Sequence, residues 1–83
     1  MEHLRARAAN SLRDLEDTVV ALLAAAPNGL TNIDVTTTLG LHSDHLGNHR
    51  NYLSWSILGR LMRAGRVRGE KDEKGKMRYF SNE

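Results

Sequence analysis

The sequence predicts a mainly α-helical domain closed by a small β-hairpin, an α+β fold. Three observations carry this expectation. Apolar residues recur at helical spacing in three separate segments, strict alternation takes over near residue 66, and Asp72-Glu73-Lys74-Gly75 divides the alternating stretch with hairpin-turn composition. With 83 residues there is room for one domain and a small core. A content of 40% hydrophobic and 27% charged residues is that of a globular chain and excludes the disordered class.

The elements follow in chain order. Residues 1–10, MEHLRARAAN, are basic and weakly patterned, and either extend the first helix or fray. Ser11 followed by Asp14 resembles a helix start, so the first firm helix is expected near 11–26, with Leu12, Leu15, Val19, Leu22 and Ala26 facing inward. Val20 and Leu23 form a second apolar edge, available to a homodimer partner or to residues 1–9. Pro27-Asn28-Gly29 ends the helix, and Leu30 is expected as a one-residue strand that joins the hairpin. Thr31 with Asp34 caps a second helix whose inward residues are expected to be Ile33, Val35 and Leu39, and Gly40 stops it. Residues 41–51, LHSDHLGNHRN, make a long break. Ser43 or Asp44 is expected to cap a short extra turn of helix there, ended by Gly47-Asn48.

Residues 50–68, RNYLSWSILGRLMRAGRVR, organise the rest. Leu53, Ile57, Leu58, Leu61 and Met62 make the inward stripe of a third helix at about 51–64. Its opposite face collects Tyr52, Ser56, Gly59 and Arg63, flanked by Trp55 and Arg60. Tyr52 is expected to be exposed, and Trp55 to cover the core beneath the hairpin. From Val67 the chain alternates as a strand through Lys71, and it resumes as one from Met77.

Charge is distributed unevenly. Residues 1–41 carry three arginines against five acids, whereas residues 42–83 carry nine lysines or arginines against five. Between Arg50 and Gly69 there are five arginines and no acid, a local positive surface that an anionic polymer would feel. No cysteine is present, which excludes a disulfide framework and fits a reducing compartment. No apolar run approaches membrane-spanning length and the N-terminus lacks a signal core, so a cytoplasmic, nucleoid-associated protein with no membrane partner is expected. His42, His45 and His49 have metal-like spacing, but Gly47 and Asn48 interrupt it and no fourth ligand is evident, so loop histidines are the expectation. The chain has no nucleophile beside a base, no carboxylate pair and no phosphate loop; neither an enzyme activity nor a cofactor is expected.

Three helices and then a hairpin is an order that resembles the winged helix-turn-helix superfamily. The resemblance spans residues 11–80, within a single domain at 11–83. Its more specific part is GLTNIDVTTTLGL followed by NYLSWSILGRLMRAGRVR, similar to small winged-helix modules that occur alone or fused to bacterial restriction and DNA-modification proteins. What the resemblance implies is a double-stranded DNA partner, with the third helix in the major groove and the hairpin wing on phosphates or in the minor groove. It also implies a fused or associated nuclease or methyltransferase. By position, Asn51, Tyr52, Trp55, Ser56 and Arg60 would enter the groove, and Arg68, Lys74, Lys76 and Arg78 would be the wing cations. His49 and Arg50 precede the third helix and would reach the same surface. The module would act in transcription regulation or DNA targeting, with base methylation a possible feature of the ligand. The alternative is a winged helix that docks a protein through Tyr52 and Trp55 and touches no DNA.

Overall fold

The structure is a computed structural model that describes residues 1–42, the backbone of 44–45 and 49–50, and residues 51–83. Its elements run α1 (Glu2–Ala24), α2 (Asn32–Leu39), β1 (Asp44–His45), β2 (His49–Arg50), α3 (Tyr52–Arg63), β3 (Val67–Lys71) and β4 (Met77–Ser81). Three helices followed by an antiparallel arm match the expected α+β class, with the arm in the place of a wing.

α1 starts at Glu2, so of the two alternatives for residues 1–10 the helix extension is the one found. Residues 2–10 hold alanine, leucine and arginine without glycine or proline, so nothing breaks the helix there. Ser11 is not a cap; its hydroxyl donates back to the Arg7 carbonyl at 2.9 Å inside the helix. Val19, Val20 and Leu23 are the buried residues of α1, with Leu15 and Leu22 packed beside them. The expected second edge is therefore the core face itself, and offers Val20 and Leu23 to no partner.

Gly29 follows with φ +77°, beneath the Phe80 ring. A Cβ there would lie 2.7 Å from the ring, so only glycine fits both the turn and the contact. Leu30 bridges Tyr79 through both backbone hydrogen bonds, 3.1 and 2.8 Å, as expected.

In α2 the capping box is complete. The Asp34 amide donates to Thr31 Oγ1 at 3.2 Å and the Thr31 amide donates to Asp34 Oδ2 at 3.1 Å, while Gly40 ends the helix at φ +68°. Val35 and Thr36 are buried, whereas Ile33 is 64% exposed. Two positions along a helix is about 200° of rotation, so Ile33 and Val35 cannot both face the core of so short a helix.

Asp44 and His45 pair antiparallel with Arg50 and His49, so strand replaces the expected extra helical turn. Their backbone groups find partners across this ladder rather than along a helix. Ser43, Gly47 and Asn48 lie outside the described residues.

α3 buries Ser54, Ile57, Leu58 and Leu61. Leu53 and Met62, expected inside, are exposed, because the buried stripe is rotated toward Ser54. Gly65 takes φ +76°, and the Arg66 amide returns to the Leu61 carbonyl at 3.0 Å before β3 begins. In the arm Val67 faces Ser81, Gly69 faces Tyr79 and Lys71 faces Met77. The Asp72 carboxylate accepts the Lys74 and Lys76 amides, each at 2.9 Å, and so closes the turn. One core joins α1, α2, α3 and the arm through Val19, Leu23, Val35, Leu58, Leu61, Val67 and Tyr79. Among the described residues no helix is long and apolar enough to cross a membrane.

Candidate nucleic-acid interface

The N-terminal half of α3 is placed by a polar knot against α2. Ser54 Oγ donates to Asn32 Oδ1 at 2.6 Å, the Thr36 hydroxyl bonds Ser54 Oγ, and Asn32 Nδ2 donates to the Asn51 carbonyl at 3.3 Å. Ser54 and Thr36 are buried, so these bonds satisfy groups that water cannot reach. Asn51 itself sits at φ +59°, a conformation asparagine tolerates, and its side chain makes no cap. Its amide is thus left at the head of the helix.

With Ser54 turned inward, Tyr52 and Trp55 turn outward, 40% and 49% exposed, their rings 6.0 Å apart and tilted by 37°. Trp55 does not lie under the arm as a core cover. It walls a cleft between α3 and β4 together with Ser56, Gly59, Met62, Arg63 and Tyr79. Arg60 is exposed at the edge of the ridge.

Strand alternation divides the arm into two faces. Val67, Gly69 and Lys71 share the face of Met77 and Tyr79, which meets α3: a Cβ on Gly69 would lie 3.4 Å from Met62 Sδ. Arg68 and Arg78 stand on the other face. The Arg68 guanidinium stacks 4.8 Å over Phe80, and Arg78 donates to the Gly29 carbonyl at 3.1 Å. Lys74 and Lys76 occupy the turn region, with Lys76 beside Ile33 of α2 and Met77. The structure therefore brings Asn51, Tyr52, Trp55 and Ser56 together on α3, places Lys76 beside the start of α2 and Lys74 in the arm turn, and sets Arg68 and Arg78 on the arm face away from α3. The side chains of His49 and Arg50 lie outside the described residues, as does the pairing of His45 with His49 beyond the backbone.

The positive field is smaller than the acid-free run suggested. Arg60 donates to Glu16 of α1 at 2.8 Å, and Arg66 bridges Asp17 at 2.8 Å and Glu83 at 2.6 Å. Arg68 pairs with Glu70 at 2.7 Å, and Arg78 with Asp72 at 3.3 Å. These contacts raise the Arg66 guanidinium further above its ordinary value and hold the Glu83 carboxyl below the usual range. Asp72 is lowered by the Lys76 amide, and Asp34 by the Thr31 amide and hydroxyl. Among the described residues no carboxylate lies within ion-pair distance of Arg63, Lys71, Lys74 or Lys76. Exposed pairs such as Arg60–Glu16 are each worth about 0–1 kcal/mol, so a phosphate can displace the carboxylate at small cost.

Sequence reading placed Arg60 among the groove-entering residues and Arg63 on the same helix face but outside that set. It missed Tyr79, whose only signal was its place in a strand. Comparison with known proteins finds no family model, curated protein or solved structure that matches this chain.

Proposed function

We propose that this domain binds double-stranded DNA as a non-enzymatic module, presenting the outer face of α3 to the groove and the arm to the sugar–phosphate backbone. The observation that carries the reading is one shared face. It holds an exposed aromatic pair, Tyr52 and Trp55, the Asn51 side chain, which makes no cap bond, and Arg63, and the arm beside it carries Lys71 on its α3-facing side and Lys74 and Lys76 in its turn. Cations on phosphate supply salt-sensitive affinity, and Asn51 suits the bidentate edge of adenine. Aromatic rings at this position suit thymine methyls or an added base methyl. A role in regulation or in targeting a nuclease or methyltransferase in the cytoplasm follows from this reading.

Anisotropy of a labelled mixed-sequence duplex, measured across salt concentrations, is the direct test. Binding should weaken steeply with salt. Tyr52→Ala and Lys76→Ala should each lose several-fold in affinity, whereas Arg5→Ala, on the far end of α1, should lose none. Equal losses from all three would sink the assignment of the face. Selection from a random duplex pool, with and without adenine methylation, then reads sequence preference.

A second reading has its own observation. Four of the arginines counted as cationic surface are engaged by carboxylates, while Leu53, Met62, Ile33 and Met77 add exposed apolar area to the aromatic pair. That composition suits a protein partner. No duplex binding at low salt would favour it.

A further inference from the structure

Gly59 is not explained by the fold. It lies in the middle of α3, and a Cβ added there would meet nothing nearer than the Arg63 guanidinium at 3.5 Å, an ordinary contact. Glycine at such a position is less stable than alanine, so packing gives no reason for it. What it leaves open is the cleft of about 260 Å³ between α3 and β4.

The cleft has a second unexplained feature. Tyr79 is 8% exposed and lines it, yet its hydroxyl has no hydrogen-bond partner among the described residues and is not sealed from solvent. Tyrosines this deeply buried ordinarily pair that group. Burial pushes its ionisation up, so at neutral pH the phenol keeps its proton and donates. Arg63, with no carboxylate at ion-pair distance among the described residues, and the half-buried Ser56 line the same cleft. Three donors with an apolar wall of Trp55 and Met62 make a place for an anionic oxygen attached to an apolar body.

The position narrows the choice. The cleft runs along α3 from Trp55 to Arg63, beside the arm, and its charged end, Arg63, is the last residue of the helix, whereas base edges are read from the start of a groove-entering helix. We propose that the cleft receives one sugar–phosphate unit of a DNA strand, its phosphate on Arg63, Tyr79 and Ser56 and its deoxyribose against Trp55 and Met62. Gly59 is the clearance that lets the strand approach. This rests on the DNA-binding reading and assigns the contact that fixes the depth of α3 in the groove.

Tyr79→Phe keeps the ring in the core and removes only an unpartnered hydroxyl, so it should fold as the parent does. Arg63→Gln removes a surface charge. Each should lower affinity for a mixed-sequence duplex by about tenfold, as expected for one charge-assisted hydrogen bond. Arg63→Gln should also reduce the logarithmic salt slope by about one. The double variant should lose less than the product of the single losses, because one phosphate holds both side chains. Gly59→Leu fills the cleft; it should melt no lower than the parent yet lose binding about tenfold or more. The lone tryptophan, Trp55, reports occupancy: its emission should change on adding duplex to the parent and not to Gly59→Leu. If these variants bind duplex with the parental affinity, slope and emission change, the cleft is empty and this inference is overturned while DNA binding stands. If the unaltered protein binds no duplex at low salt, both fall together.

Discussion

Replacing Ser54 by alanine strips the partner from two groups at once, the buried Thr36 hydroxyl and the Asn32 carbonyl. A buried polar group left without a bond costs about 1–3 kcal/mol. In a domain of this size each kcal/mol corresponds to roughly 4–8 °C in melting temperature. Thermal melting of Ser54→Ala should therefore fall by several degrees or more, and adding Thr36→Val should recover part of the loss by removing one orphan. No change in melting would mean that the knot does not hold α3 on α2. The same residue marks what a sequence reveals at this scale. The Thr31–Asp34 box is legible because its donors and acceptors lie within four consecutive residues. The Ser54 knot spans 18 and 22 positions, and a helical period that sorts residues by polarity sends Ser54 outward and Leu53 inward, the reverse of what is found. Arg60 and Glu16 are 44 apart, and nothing local announces their pairing.

Among elements, α1 is the least evenly supported. Every residue from 1 to 11 is exposed, and its buried contacts begin only further along, at Val19, Val20 and Leu23. A helical stretch of this length without tertiary packing is marginal in water. Deleting residues 2–10 should thus change the melting temperature by no more than a few degrees, and amides 2–11 should exchange with solvent far faster than those of Val19–Leu23. Slow exchange in the first three turns, or a large drop in melting on deletion, would mean that this end is held by something beyond the contacts described. For the start of α1 the sequence left extension and fraying of residues 1–10 both open, because Ser11 and Asp14 imitate a cap while good helix formers continue on both sides of them. α2, the bridge at Leu30 and the arm were legible, each marked by glycine or proline at a turn and by a change of period. The β1–β2 pair was not, since two-residue strands carry no period to read.

Across the whole molecule the fold folds charge back on itself. The acidic first segment and the basic remainder are opposite in sign along the chain, and α1 delivers its acids to α3 and the turn that follows it: Glu16 to Arg60 and Asp17 to Arg66. Among the described residues of α3 and the arm this leaves Arg63 and the lysines without a carboxylate at ion-pair distance, and it ties stability to pH. Asp34, Asp72 and Glu83 all have carboxyls held below their ordinary values of 3.8, 3.8 and 4.5. For a group lowered in the folded state, the stabilisation is fully present above the unfolded value and is lost as pH falls through the folded one. Unfolding free energy from urea titrations should accordingly be flat with respect to these three groups above about pH 5 and decline steadily below about pH 4. Asp34→Asn isolates one contribution. It removes the charge that the Thr31 amide and the start of α2 favour, worth about 0.3–1 kcal/mol at neutral pH, and it should reduce the acid slope while leaving Asp72 and Glu83 to titrate. A stability that stays level from pH 6 to pH 3, by rough bounds on carboxylate titration, would show that the cap, the arm turn and the Arg66 bridge are already open at neutral pH.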